Sequence, residues 1–343
     1  MSRSPSILDV AREADVAPST VSLVMNHHDR VKPETRRRVR NVIEKMGYQG
    51  RRRGPKPKSN RALQIALVYT QDSFDDGKLS TYCHDLMSGA KRAIGNGPSS
   101  LSILRGLEHV DQDDMFRLQI ESGDFDGVLL FGPMPEDGYL EYLQQRGIPL
   151  VAFNRPSVDD RHSCVTLDFR GGARLAIEHL IDHGHTKIAT IEGTTKRGWL
   201  QDQVHRGLAD AFSQAKLEPV LSLQYEGGNG PTDIQAICDQ IRQSDATALY
   251  TGDRLAVRCI EYLHQQGVDV PHDMSVIGFD GMKLTTTNNL RLTSIGFDKD
   301  DMGRKAVSLI ERLNAAKPDI CWAIETVPTY LEEGDTVTMR PEN

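Results

Sequence analysis

Three histidines, His179, His183 and His185, are the side chains whose clustering first suggests chemistry in this 343-residue sequence. Two of them have the i, i+4 spacing that puts metal ligands on one helix face. No cysteine or carboxylate is spaced to complete such a site, so neither a metal nor any other cofactor is expected. The sequence lacks a P-loop, a G-x-S-x-G nucleophile elbow and an HExxH helix, and the GGNG at 227–230 reads as a turn. With no evident nucleophile or general base, the chain is expected not to be an enzyme. What remains is recognition chemistry. Ser19, Thr20, Ser22 and Asn26 offer short hydrogen-bonding side chains, and a lysine- and arginine-rich run extends from Arg51 to Lys58.

The elements that must position the first group are short helices. Ser6 and Asp9 have the spacing of a capping box, and Ile7, Val10, Ala11 and Ala14 recur on one helical face. Asp15 occupies the turn, and Pro18 fits the first position of a second helix, where its missing N–H costs nothing. That helix turns Val21, Val24 and Met25 inward and Ser19, Thr20, Ser22, Leu23 and Asn26 outward. Pro33 opens a third helix through Met46, with Val39, Val42, Ile43 and Met46 as its apolar face. Such a trio is a helix-turn-helix unit, whose second helix enters the major groove of DNA. Periodicity alone equally allows a small structural bundle. The particular residues favour the former. DVAREADVAPSTVSLVMN, then VKPETRRRV, then the closing Gly47-Tyr48 resemble, in order and spacing, the headpiece of the LacI/GalR family of bacterial transcription regulators.

Charge distribution agrees with that resemblance. The net charge is −7, yet residues 1–61 hold 15 Lys+Arg against 6 Asp+Glu, and the remainder holds 26 against 42. A basic end on an acidic body is expected where one end alone meets phosphates. No stretch approaches a membrane span, and MSRSPSILDV lacks the apolar core of a signal peptide. Cys83, Cys164, Cys238, Cys259 and Cys321 are scattered without metal spacing and read as reduced thiols of a cytoplasmic protein.

Residues 49–61, QGRRRGPKPKSNR, form a basic linker whose prolines and glycines exclude a stable helix. Here the chain departs from the family, whose typical members place a hinge helix with a minor-groove leucine at this point. Arg51, Arg52, Arg53, Lys56 and Lys58 instead loosely resemble an AT-hook, an extended arm suited to a narrow A·T-rich minor groove. Nonspecific phosphate binding is the alternative.

From Leu63 the chain alternates apolar runs with amphipathic stretches, beginning LQIALVY, DLMSGAKRAI, SLSIL, MFRLQIESG, DGVLLFG, YLEYLQQRG and IPLVAFN. The pattern restarts at CVTLD and ARLAIEHLIDHG. This alternation implies an α/β fold with parallel sheets covered on both faces and ligands beyond the carboxyl ends of the strands. GARLAIEHLIDHGHTKIATIEG, DVPHDMSVIGFDG and LTSIGFDKDDMGRKAVSLI are similar to stretches of the family's effector domain, which has the two-lobed, periplasmic-binding-protein-like (type I) fold. That resemblance puts lobe one at about 62–155 plus 290–322, and lobe two at about 160–285 plus the C-terminal strands. Strand ends and the resemblance together nominate Tyr69, Asn154, Arg155, Trp199, Asp253, Asp280 and Phe297 as effector contacts. Two departures weaken any transfer of ligand identity. Val204 stands where the family usually has Arg, three residues before a Gly-aromatic pair that is Gly207-Leu208 here. The usual Asn-Asp pair is Gly252-Asp253.

These features divide the chain into a headpiece at 1–48, a basic linker at 49–61 and a two-lobed body at 62–343. The resemblance implies a cytoplasmic homodimer that regulates transcription, as a repressor, from a palindromic double-stranded operator under control of a sugar or sugar derivative. Pro18, Ser19 and Leu23 take the family's base-readout positions, and Thr20, Ser22 and Asn26 would bond phosphates. Two other readings stay open: a ligand-independent architectural DNA-binding dimer, and a solute-binding protein of the same fold.

Overall fold

Val10, Ala11, Ala14, Val24 and Val39, each at most 3% exposed, form the small core of the N-terminal part, with Val16, Val42 and Met46 against it. They lie on the helices Ile7–Glu13 and Pro33–Met46, at Ala14 and Val16 just past the first, and on a helical Val24 between them. In the computed structural model the described residues are 7–14, 16, 24, 33–46, 62–69, 74–75, 78–79, 81–95, 99–105, 120, 123–132, 134, 137–157, 159–193, 198–225, 231–315 and 322–340. The nominated DNA contacts Pro18, Ser19, Thr20, Ser22, Leu23 and Asn26 therefore lie outside them. So do Arg51, Arg52, Arg53, Lys56 and Lys58, and most of the expected helix MFRLQIESG. The chain divides into two compact units, Met1–Pro57 and Lys58–Asn343.

The second unit contains β1 (Gln64–Tyr69), β2 (Phe74–Asp75), β3 (Lys78–Leu79), β4 (Ser100–Arg105), β5 (Gly127–Phe131), β6 (Leu150–Phe153) and β7 (Ser163–Leu167). It continues with β8 (Ile188–Gly193), β9 (Leu221–Tyr225), β10 (Ala248–Tyr250), β11 (Ser275–Phe279), β12 (Thr293–Phe297), β13 (Ile324–Val327) and β14 (Thr329–Glu332). Two six-stranded sheets result, in the orders β13-β7-β6-β5-β1-β4 and β14-β12-β11-β10-β8-β9. The first is wholly parallel, and in the second only β14 runs antiparallel, beside β12. β6, β7, β11 and β12 are buried along their whole length, as expected of strands covered by helices on both faces.

The division into lobes corrects the expectation. CVTLD forms β7, which belongs to the first sheet, and LTSIGF forms β12, which belongs to the second. The helix after β7, Phe169–Asp182, packs on β10, β11, β12 and β14 of the second sheet. The helix after β12, Lys299–Ala315, packs on β5, β6, β7 and β13 of the first sheet and on the helix Thr81–Ile94. The chain thus changes lobe after a strand rather than before it, at 168, 298 and 328. The first lobe is 62–167 with 299–315 and 322–327, and the second is 168–297 with 329–340. Strand–helix alternation reports that a sheet exists but carries no sign of which sheet a strand joins. The helix pair in the first lobe is unusually close. A Cβ on Gly303 would lie 2.2 Å from the Leu86 carbonyl oxygen, and one on Gly89 would lie 2.3 Å from that of Asp300.

The three histidines are accounted for in the second lobe. His185 is 2% exposed, with Nδ1 3.0 Å from the Thr247 hydroxyl and Nε2 3.2 Å from the Thr338 carbonyl oxygen. A carbonyl can only accept, so Nε2 carries the proton and Nδ1 accepts from Thr247. His183 places Nδ1 2.8 Å from the carbonyl oxygen of His179. This histidine cluster fastens the end of the chain to the lobe, since the Arg340 amide also donates to His183 O at 2.8 Å.

Candidate functional site

Parallel strands deliver their carboxyl ends to one side of each sheet, and the turn after β11 carries the acid Asp280. Its φ is 126°, a value a side chain rarely adopts, and Gly281 follows with φ 55°. Hydrogen bonds from several elements hold this turn. The Asp280 amide donates to Ile295 O at 3.0 Å and the Gly281 amide to the Ser294 hydroxyl at 3.2 Å. The Met282 amide donates to Asp253 Oδ2 at 2.7 Å, and the Lys299 ammonium donates to Gly281 O at 2.6 Å. Gly281 is required twice over, by its backbone angle and because a Cβ would sit 2.5 Å from the Cα of Gly296.

Two carboxylates meet here with different duties. Asp253 is fully buried, accepting from Met282 through one oxygen and from the Ser294 hydroxyl, at 2.5 Å, through the other. Burial raises its pKa against the lowering effect of those bonds. Asp280 is half-buried in the turn, and its carboxyl group has no hydrogen-bond partner among the described residues. Burial first, and then the charge of Asp253, push its pKa up to about 7, with Lys299 and Arg254 opposing. Behind both acids Tyr250 is 3% exposed, its phenol held neutral by burial and by the negative charges of Asp280, Glu192 and Asp253.

The other nominated residues separate into surface and support. Trp199 is 41% exposed and meets the ring of Phe169 edge-on at 6.4 Å, and Phe169 stacks on Phe279 at 5.9 Å. Arg155 is exposed, and its carbonyl is 2.9 Å from His162 Nε2. Asn154, with φ 56°, accepts the Leu167 amide on its side chain at 3.3 Å and so ties the end of β6 to β7. Tyr69 ends β1 beside Phe131, half-buried. Asp253 and Phe297, also nominated as effector contacts, are both buried. Each ends or follows a strand as expected, but the Asp253 carboxylate is consumed by the 280–282 turn. Phe297 is 2% exposed, with the Lys299 ammonium 4.7 Å above its ring centroid.

Sequence reasoning passed over Lys299, Ser294, Phe169 and Glu192. Glu192 lies near the end of β8 with its side chain 19% exposed and 3.4 Å from His205. Lys299 had a legible signal, because a lysine in the first turn of a helix opposes the helix dipole and needs another reason to be there. Ser294 had none, lying inside an apolar strand.

The geometry is that of a two-lobed binding fold following a small helical unit in the chain, and comparison with known proteins agrees in both parts. Residues 6–50 match the profile described as "Bacterial regulatory proteins, lacI family", and residues 177–337 match "Periplasmic binding protein-like domain". Catabolite control protein A of Priestia megaterium is 28% identical over 314 residues, covering 90% of this chain and 92% of its own. The HTH-type transcriptional repressor MelR of Bacillus subtilis is 26% identical, over 97% of this chain and 96% of its own. Among solved structures, a transcriptional regulator CelR–cellobiose complex superposes with TM-score 0.67 at 24% identity, over 97% of this chain and 99% of that one. The lac repressor dimer bound to operator and the anti-inducer ONPF does so at 0.63 and 18% identity, over 98% and 100%. Residues 6–50 thus carry the regulatory domain of the bacterial lacI family, a periplasmic-binding-protein-like domain follows it, and along 90% or more of its length the chain is similar to DNA-binding transcription regulators of that family.

Proposed function

We propose that this protein is a cytoplasmic homodimeric repressor that binds a palindromic operator and is controlled by a small carbohydrate held between its lobes. The headpiece would comprise 1–48, the basic linker 49–61 and the sensing and dimerising body 62–343. Pro18, Ser19 and Leu23 would read base edges, Leu23 by apolar contact with a thymine methyl, while Thr20, Ser22 and Asn26 fix register on phosphates. Arg51, Arg52, Arg53, Lys56 and Lys58 would follow the backbone or the minor groove between half-sites.

The observation that carries the ligand reading is the unequal pair of acids. Asp253 is spent on holding the turn, and Asp280 is held out by it with no hydrogen-bond partner among the described residues, which suits bonds to vicinal hydroxyls. Arg155 on the first lobe and the exposed face of Trp199 on the second supply a donor and a ring for stacking on a sugar. Tyr69 and Asn154 complete the first-lobe side, and Asp253 and Phe297 support from below. The solved relative named with cellobiose supports the carbohydrate class.

The test is thermal unfolding against a panel of cellobiose, ribose, common monosaccharides, sugar acids, sugar phosphates and nucleosides. A ligand at 100 times its Kd adds about 2.7 kcal/mol, and that shift should vanish in Asp280→Asn and Arg155→Ala. No shift across the panel would refute the sensing cleft and leave DNA binding by a ligand-independent dimer as the whole function.

A further inference from the structure

We infer that Lys299 is the positioning residue that couples the ligand-contact turn of the second lobe to the first lobe. The inference rests on the cleft reading, and deepens it by naming how occupancy at Asp280 is felt by the lobe geometry. Lys299 is the first residue of the helix Lys299–Ala315, immediately after the crossing at 298. That helix belongs to the first lobe. It packs on β5, β6, β7 and β13, and its backbone touches the helix Thr81–Ile94 where Gly89 meets Asp300 and Gly303 meets Leu86. Arg92 of the first-lobe helix also pairs with Asp300, the residue next to Lys299. Yet the Lys299 ammonium reaches into the second lobe. It donates to Gly281 O at 2.6 Å, one residue from Asp280, and lies 4.7 Å from the ring centroid of Phe297 at the end of β12. A charge-assisted hydrogen bond of this kind is stronger than one between neutral amide groups. The acids around the ammonium come from both lobes: Glu332, Asp280 and Asp253 from the second and Asp85 from the first. Burial lowers the Lys299 pKa while all four acids raise it.

The turn that Lys299 grips cannot relax independently of its supports. It contains two successive positive φ values and is held on its other side by Ser294 and Asp253. A shift of the first lobe relative to the second at the 298 crossing therefore pulls on the Gly281 carbonyl, and a ligand that fixes Asp280 restrains the same carbonyl from the opposite side. Ligand and lobe angle share one backbone group.

The experiment compares full-length wild-type protein with Lys299→Met, which keeps the stem over Phe297, and Lys299→Arg, which restores a donor. All are studied without ligand, by hydrogen–deuterium exchange and small-angle scattering. Lys299→Met is expected to speed exchange in 280–284 about tenfold, the effect of removing one charge-assisted hydrogen bond, and to increase the radius of gyration. Lys299→Arg is expected to restore both. Loosening confined to 298–302, or unchanged exchange in 280–284, would show that Lys299 merely packs the head of its own helix and would overturn the inference. Because no ligand is used, a blank sugar panel would refute the sensing cleft and leave this result to be judged separately.

Discussion

Asp280→Asn should make the protein more stable, and only above a definite pH. The Asp280 carboxyl is pushed from 3.8 up to about 7 by burial and by the nearby charge of Asp253. An acid with a raised pKa in the folded state binds its proton more tightly there than in the unfolded chain. Folding stability is therefore lost as pH rises through the interval from about 4 to about 7, and the full cost is present above it. Three units at about 1.36 kcal/mol each set an upper limit of roughly 4 kcal/mol. Asp280 retains contact with solvent, which screens part of this, so about 1–3 kcal/mol is the working expectation. Asparagine keeps the shape and does not ionise. Urea unfolding of both proteins from about pH 3 to 8.5 brackets the interval in which the carboxyl ionises. It should give nearly equal stabilities at the acid end and a growing advantage for Asp280→Asn toward the alkaline end. The histidines titrate identically in the two proteins and cancel in the difference. A stability difference that is flat with pH, or that favours the wild type more at the alkaline end than at the acid end, would refute the argument.

Other groups in the second lobe and the linker should respond in equally specific ways. The His185 pKa is lowered, chiefly by burial, so the stability His185 contributes is present above its ordinary pKa of 6.5 and is lost as pH falls. Thermal melts between about pH 7.5 and 5 should therefore fall less steeply in His185→Gln than in the wild type. Gly281→Ala introduces both a strained backbone angle and a Cβ 2.5 Å from Gly296 Cα, and should cost roughly 2–4 kcal/mol in chemical denaturation. Replacing Arg51, Arg52 and Arg53 by Ala should flatten the salt dependence of operator binding, by up to about 0.9 in slope for each phosphate the linker no longer neutralises. An unchanged slope would remove the linker from the interface.

Much of the architecture was legible because buried parallel strands announce themselves. Runs such as IALV, GVLL and LVAF have one reasonable fate, and glycines such as Gly147, Gly184 and Gly267 mark the helix ends with positive φ. The headpiece was legible for the same reason on a smaller scale, with Val10, Ala11, Ala14 and Val39 spaced as the core requires. What the pattern could not convey was the exchange of strands between lobes, because β7 and β12 look alike whether they end one sheet or begin another. At the site, strand-end position singled out Asp280, which is half-buried, and Trp199, which is exposed. It could not separate Asp253 from Asp280, since the direction of the Asp253 carboxylate depends on Ser294, 41 residues away, and on the Met282 amide, 29 residues away. Long-range partners of this kind leave no local trace in the chain.

The exchange of strands also sets the order in which the molecule can be completed during synthesis. Among the described residues the headpiece core draws on nothing beyond Met46, so that core can close as soon as that residue has left the ribosome. The first lobe, although begun at Gln64, needs the helix Lys299–Ala315 for one face and β13 for its edge. It must wait for Val327, by which time almost all of the second lobe has already emerged. A nascent chain therefore presents a finished DNA-binding head long before it has a body able to dimerise or to sense anything. Pausing or truncation anywhere between residues 61 and 327 would release a product that still carries the basic head and linker but escapes control by ligand.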